Sequence, residues 1–94
     1  MIAIGVARLP RAAGDGYSGA LLIELTFDAS GRVADVTSVL PLPLYNALLR
    51  QMLVGRTLAE VRAATDQLLS QLRGPLAKPT AAAIACAVAN ALSL

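Results

Sequence analysis

The chain has 94 residues, room for one domain and too few for two. Eight basic and six acidic residues leave a net charge of +2 dispersed along the whole length; no basic block of the kind that grips a phosphate backbone exists, so nucleic acid is not an expected partner. A hydrophobic fraction of 56% against 15% charged residues excludes disorder, and a chain with no His, no Trp and one Cys has few groups able to do chemistry.

Residues 1–9 alternate as a strand, with Ile2, Ile4 and Val6 on one face. Pro10 ends that strand because it has no backbone donor for continued pairing. The segment has neither a basic leader nor a cleavage signature after it, so no signal peptide is expected and a cytoplasmic location follows by default. Residues 11–19 combine Gly14, Gly16 and Gly19 with Asp15 and Ser18, a composition that predicts a flexible loop. Its glycines precede a strand and do not open a helix, so they make no nucleotide-binding fingerprint.

Residues 20–27 place Leu21, Ile23, Leu25 and Phe27 on one face and Leu22, Glu24 and Thr26 on the other, the period of two that marks a half-buried strand. Asp28-Ala29-Ser30-Gly31 supplies a local acceptor and then a glycine for positive φ, which predicts a short hairpin connection. Residues 32–40 return as its partner, Val33, Asp35, Thr37 and Val39 alternating with Ala34, Val36, Ser38 and Leu40.

Pro41-Leu42-Pro43 breaks the sheet, and residues 44–53 repeat Leu44, Leu48 and Met52 at helical spacing, with Leu49 and Leu53 widening the stripe. Gly55 closes that helix. Thr57 and Glu60 have the spacing of a capping box and start a second helix, whose buried face is Leu58, Val61, Leu68, Leu69 and Leu72 and whose wet face is Arg62, Asp66 and Gln67. Arg73-Gly74-Pro75 ends it. Pro79 suits the first turn of a third helix running to about Leu92, with Ile84, Val88 and Leu92 as its stripe.

That last helix concentrates the bias of the chain, in which 19 Ala and 17 Leu stand against one Phe and two Tyr. Such a core favours slender helices in close contact. Residues 81–92 are the longest apolar stretch and fall well short of the roughly 20 needed to span a bilayer, so no membrane partner is expected. No charge occurs from Thr80 to Leu94, so burying one face leaves mostly alanine on the other, a problem that a homo-oligomer interface would solve.

Three strands followed by three helices predict a single α+β domain, a three-stranded antiparallel sheet with the helices packed on one face. From Gly19 onward, the order strand, Asp-x-x-Gly turn, strand and helix, then Val54-Gly55-Arg56-Thr57-Leu58-Ala59-Glu60-Val61, resembles the iron–sulfur scaffold domain of the IscU and N-terminal NifU family. The length and the opening I-x-I-G-x-A-R-L-P are similar to an uncharacterised family of small bacterial domains related to that scaffold but lacking its cluster ligands. The resemblance puts the scaffold's three ligand cysteines at Tyr17-Ser18-Gly19, at Leu40-Pro41-Leu42-Pro43 and at about Pro79-Thr80. No thiolate stands at any of them, so neither a metal nor any other cofactor is expected.

Cys86, between Ala85 and Ala87 in the last helix, reads as a small buried hydrophobe. Without His, no Cys-His or Ser-His relay can be built, and the chain is expected not to be an enzyme. Glu24 and Asp35 lie on paired strands and can share a face, where solvation or pairing with Arg32 is the ordinary fate of such carboxylates. Two functional surfaces emerge. Lys78 and Thr80 at the start of the last helix, with Arg11 and Tyr17 from the glycine-bearing loop, form a candidate anion or small-molecule site. Leu40, Leu42 and Leu44, held extended by two prolines, together with Ile84 and Val88 of the alanine-rich helix, form a candidate surface for self-association or a protein partner, the equal alternative for the Leu40 to Leu44 segment being a core plug between sheet and helix.

Overall fold

The segment with the cleanest period of two becomes the central strand. The computed structural model describes residues 1–9 and 19–92. In it β1 (Ile2–Arg8), β2 (Ala20–Phe27) and β3 (Val33–Ser38) form an antiparallel sheet in the order β1-β2-β3. Helices α1 (Pro43–Leu53), α2 (Leu58–Gln71) and α3 (Ala77–Leu92) follow, which gives the expected α+β architecture. Leu21, Ile23, Leu25 and Phe27 of β2 share one core with residues of all three helices.

The β2–β3 hairpin closes as its sequence requires. Asp28 Oδ1 accepts the Ser30 amide at 2.9 Å, the Ser30 hydroxyl at 2.6 Å and the Arg32 amide at 3.1 Å, and Gly31 takes φ +82°. Beyond the turn, strict alternation fails. Phe27 pairs with Val33 and Thr26 with Asp35, so Ala34 is an extra residue, and Val33 and Val36 both turn inward.

In β1 the alternation holds, but the inward face is the small one. Ala3 and Gly5 are buried, whereas Ile2, Ile4 and Val6 point away from the core. The cause is the closeness of α3: a Cβ built at Gly5 would overlap the Ala83 carbonyl oxygen and lie 2.6 Å from the Ala87 nitrogen. Only the small face of the strand admits a helix backbone at that range. The Asn90 side-chain amide secures the contact by donating to the Ile4 carbonyl at 2.7 Å.

Helix α1 starts at Pro43, where a missing amide is harmless, and buries Tyr45, Leu49 and Leu53. The row expected inside, Leu44, Leu48 and Met52, is turned one position outward: Leu48 and Met52 are half-buried and Leu44 is 86% exposed. Both rows are apolar, and the inner one is fixed by the Tyr45 hydroxyl, which meets the buried Thr80 hydroxyl at 2.7 Å. Gly55, at φ +88°, turns the chain so that its amide reaches the Val33 carbonyl at 2.8 Å. The capping box then opens α2, with Glu60 Oε1 accepting the Thr57 amide at 3.0 Å. Val61, Ala64, Thr65 and Leu68 form its buried face, while Leu58, Leu69 and Leu72, expected inside, are half-buried at its border. In α3, Thr80, Ala83, Ile84, Ala87, Val88 and Ala91 point inward, and Leu92, expected in the stripe, is exposed. Among the described residues no helix is long and apolar enough to cross a membrane.

Candidate functional site

The residues chosen for an anion site do not converge. Lys78 is exposed at the start of α3, whereas Thr80 is fully buried, its hydroxyl committed to Tyr45. Two positions apart on a helix are about 200° apart around its axis, so the two cannot face one ligand. Arg11 and Tyr17 lie outside the described residues. What Lys78 does border is a groove of about 760 Å³ between the end of β1 and the start of α3, with Leu9, Pro75, Pro79 and Ala82 in its walls and Arg8 at its rim, where β1 ends. Arg8 carries no motif; only the pairing of β1 with β2 and its crossing by α3 bring it there.

The candidate interaction surface is also redistributed. Leu40, Ile84 and Val88 are core residues and present no surface of their own, while Leu42 and Leu44 are exposed. Leu40 is held in by its neighbours: Asn46 donates to its carbonyl at 3.0 Å, and the Ser38 hydroxyl bonds the same Asn46 at 2.6 Å. Its side chain plugs the junction between β3 and α1. Ile84 and Val88 form part of the lining of a shallow groove of about 330 Å³ between α2 and α3, bordered by Arg62 and Asp66.

Several ionisable groups are engaged in structure. Burial raises the Tyr45 phenol above its ordinary value, partly offset by the Thr80 hydrogen bond. The Ser30 hydroxyl, followed by the Arg32 amide, lowers Asp28; the Thr57 amide and hydroxyl lower Glu60. Asp35 turns to Arg50 at 3.2 Å, and Arg32 pairs with Glu60 at 3.8 Å and not with either strand carboxylate. Glu24 sits in the next row from Asp35, opposite Ile4 on one side and Thr37 on the other. Cys86 is half-buried, not buried as expected, with the Asn90 amide nitrogen 3.7 Å from its sulfur. Among the described residues no group of three or more His, Cys, Asp or Glu could hold a metal. At two of the positions that the scaffold resemblance assigns to cluster ligands, Leu40 offers only carbon and Thr80 a hydroxyl already spent on Tyr45, so these residues do not fit a cluster.

Among the described residues, an exposed apolar feature lies on the sheet face opposite the helices. Ile2 is 62%, Ile4 47%, Val6 51% and Val39 53% exposed. The register sets them in rows across the strands: Val6, Leu22 and Val39; then Ile4, Glu24 and Thr37; then Ile2, Thr26 and Asp35. Val39 joins the first row through its amide, which donates to the Leu22 carbonyl at 3.2 Å. The alternation of residues 1–9 already contained this face; which side α3 would cover was not readable from it.

No family model matches the chain, and no curated protein matches it at a significant level of similarity.

Proposed function

We propose that this is a non-enzymatic, scaffold-like interaction domain that self-associates, a cytoplasmic relative of the IscU and NifU scaffold fold that has lost its cluster ligands. The observation that carries the reading is the apolar sheet face. One row of aliphatic side chains, Val6, Leu22 and Val39, crosses three strands and is continued along β1 by Ile4 and Ile2, and contiguous exposed apolar side chains of this kind mark contact sites. The chemistry agrees, since Asp28, Glu60, Tyr45 and Thr80 are spent on a turn, a cap and the core, and the domain acts by what it touches. The working surface is the sheet face and not the alanine-rich helix, whose best packing residues are used within the subunit.

Sedimentation equilibrium on the full chain from about 1 µM to about 1 mM tests this, a range that spans weak to moderate association. The reading expects a mass above the single-chain 9.7 kDa at the upper end. A monomer throughout contradicts it.

A second reading, a protein that binds small anionic molecules, is favoured by the groove between the end of β1 and Lys78. Apolar walls beside the Lys78 ammonium suit a carboxylate with a short aliphatic tail. Titration with octanoate separates the readings: a binding site in this groove loses affinity in Lys78→Ala, whereas self-association is unchanged by that substitution.

A further inference from the structure

We infer that the open sheet face receives the same face of a second copy of this chain, with strand directions reversed, so that Glu24 of each copy meets Arg8 of the other. The inference rests on the self-association proposed above and specifies its surface and orientation.

Ile2, Ile4, Val6 and Arg8 alternate onto this face from β1, and Leu22, Glu24 and Thr26 from β2. Glu24 lies mid-face on the central strand with Ile4 and Thr37 beside it. Among the described residues neither Glu24 nor Arg8 has an ion-pair or side-chain hydrogen-bond partner; Asp35 and Arg50 satisfy each other. Any apolar partner laid over the face would bury the Glu24 carboxylate unpaired, which is strongly unfavourable. An occupant must therefore bring a cation to that point along with aliphatic surface. This face has both.

Orientation follows from the rows. Two stacked sheets related by a two-fold axis parallel to the strands would set each row against itself, bringing the two Glu24 carboxylates together on the central strands. A two-fold axis across the strands, through the row of Val6, Leu22 and Val39, reverses strand direction and sets that apolar row against itself. It places the Ile4, Glu24 and Thr37 row over the row of Arg8 and Ala20 in the other copy, with Ile4 above Arg8 and Glu24 one strand, about 4.8 Å, to the side of it. Across the roughly 10 Å between packed sheets, Glu and Arg side chains extend toward each other and can meet. The symmetry makes the pair twice, as an isologous contact requires. A face of three strands is smaller than the roughly 800 Å² per partner of a standard interface, so the dimer is weak and concentration dependent.

The test is sedimentation equilibrium of the full chain and four variants at exposed positions, each with folding checked by circular dichroism. Val6→Lys, in the row on the two-fold axis, abolishes the dimer, and Val39→Lys in the same row does so independently should Val6→Lys fail to fold. Arg8→Glu and Glu24→Arg each weaken association by about tenfold or more, and the double exchange R8E/E24R recovers most of the loss because opposite charges again meet. If the wild type dimerises and Val6→Lys or Val39→Lys leaves the dimer intact, the face is wrong while self-association stands. If the lysine variants are monomeric but the double exchange is no better than the worse single variant, the reversed orientation is wrong. A wild type that stays monomeric overturns the self-association reading and this inference together.

Discussion

The two faces of β1 have traded the roles that their side chains suggest. Ala3 and Gly5 go inward, and Ile2, Ile4 and Val6 go outward, although the second set would bury far more apolar area. On β2 the ordinary rule holds, with Leu21, Ile23, Leu25 and Phe27 inside and Glu24 outside. The difference is what lies above each strand. Helix α3 comes so close to β1 that Gly5 has no room for a side chain, and the Ala83 and Ala87 turns of the helix rest on the strand itself. Close backbone approach gains dispersion along the whole contact, and it leaves the large aliphatics of β1 for another surface.

The sharpest way to break this arrangement is Gly5→Val. The new side chain has nowhere to go but into the α3 backbone, so the loss is expected to exceed about 3 kcal/mol, or to prevent folding, as read by urea unfolding. Truncations on the two sides of the sheet then measure the asymmetry. Leu25→Ala, fully buried, is expected to cost about 2–5 kcal/mol. Tyr45→Phe is intermediate: it leaves the buried Thr80 hydroxyl without its partner and costs about 1–3 kcal/mol at neutral pH. Because burial raises the folded-state pKa of Tyr45 above its ordinary 10.0, the protein holds that proton more tightly when folded than when unfolded. The associated stability is complete below pH 10.0 and is lost as pH rises through the raised value; an unfolding series in alkaline buffers should show this loss in the wild type and its absence in Tyr45→Phe. Smallest is Ile4→Ala, expected to change the stability of the dilute protein by no more than about 0.5 kcal/mol. An Ile4→Ala effect as large as that of Leu25→Ala in dilute solution would mean that the outer face is already covered within one subunit.

Features written in a few adjacent residues are legible in the sequence alone. The Asp28–Gly31 turn and the Thr57–Glu60 box each need only local hydrogen bonds, and both form. The facing of β1 was not legible, because a period of two defines two faces and does not say which one a later helix will cover. The row that α1 buries was ambiguous for a similar reason: Leu44, Leu48 and Met52 lie beside Tyr45, Leu49 and Leu53, and the choice depends on a hydroxyl 35 residues away in sequence. The same distance hid the state of Thr80, which reads as an exposed helix-start residue and is a core donor or acceptor. Candidate surfaces chosen by hydrophobicity, Leu40, Ile84 and Val88, turned out to be core because they pack well, and the exposed apolar face arose where packing favoured small residues.

The most direct test of the open sheet face as the working surface is dilution of isotope-labelled protein followed by amide resonances in two-dimensional NMR. Concentration-dependent shifts are expected at Ile4, Val6, Leu22, Glu24 and Val39, with the amides of α2 and the buried turns of α3 unmoved. Shifts confined to α2 and α3, or none at any concentration, would contradict the account.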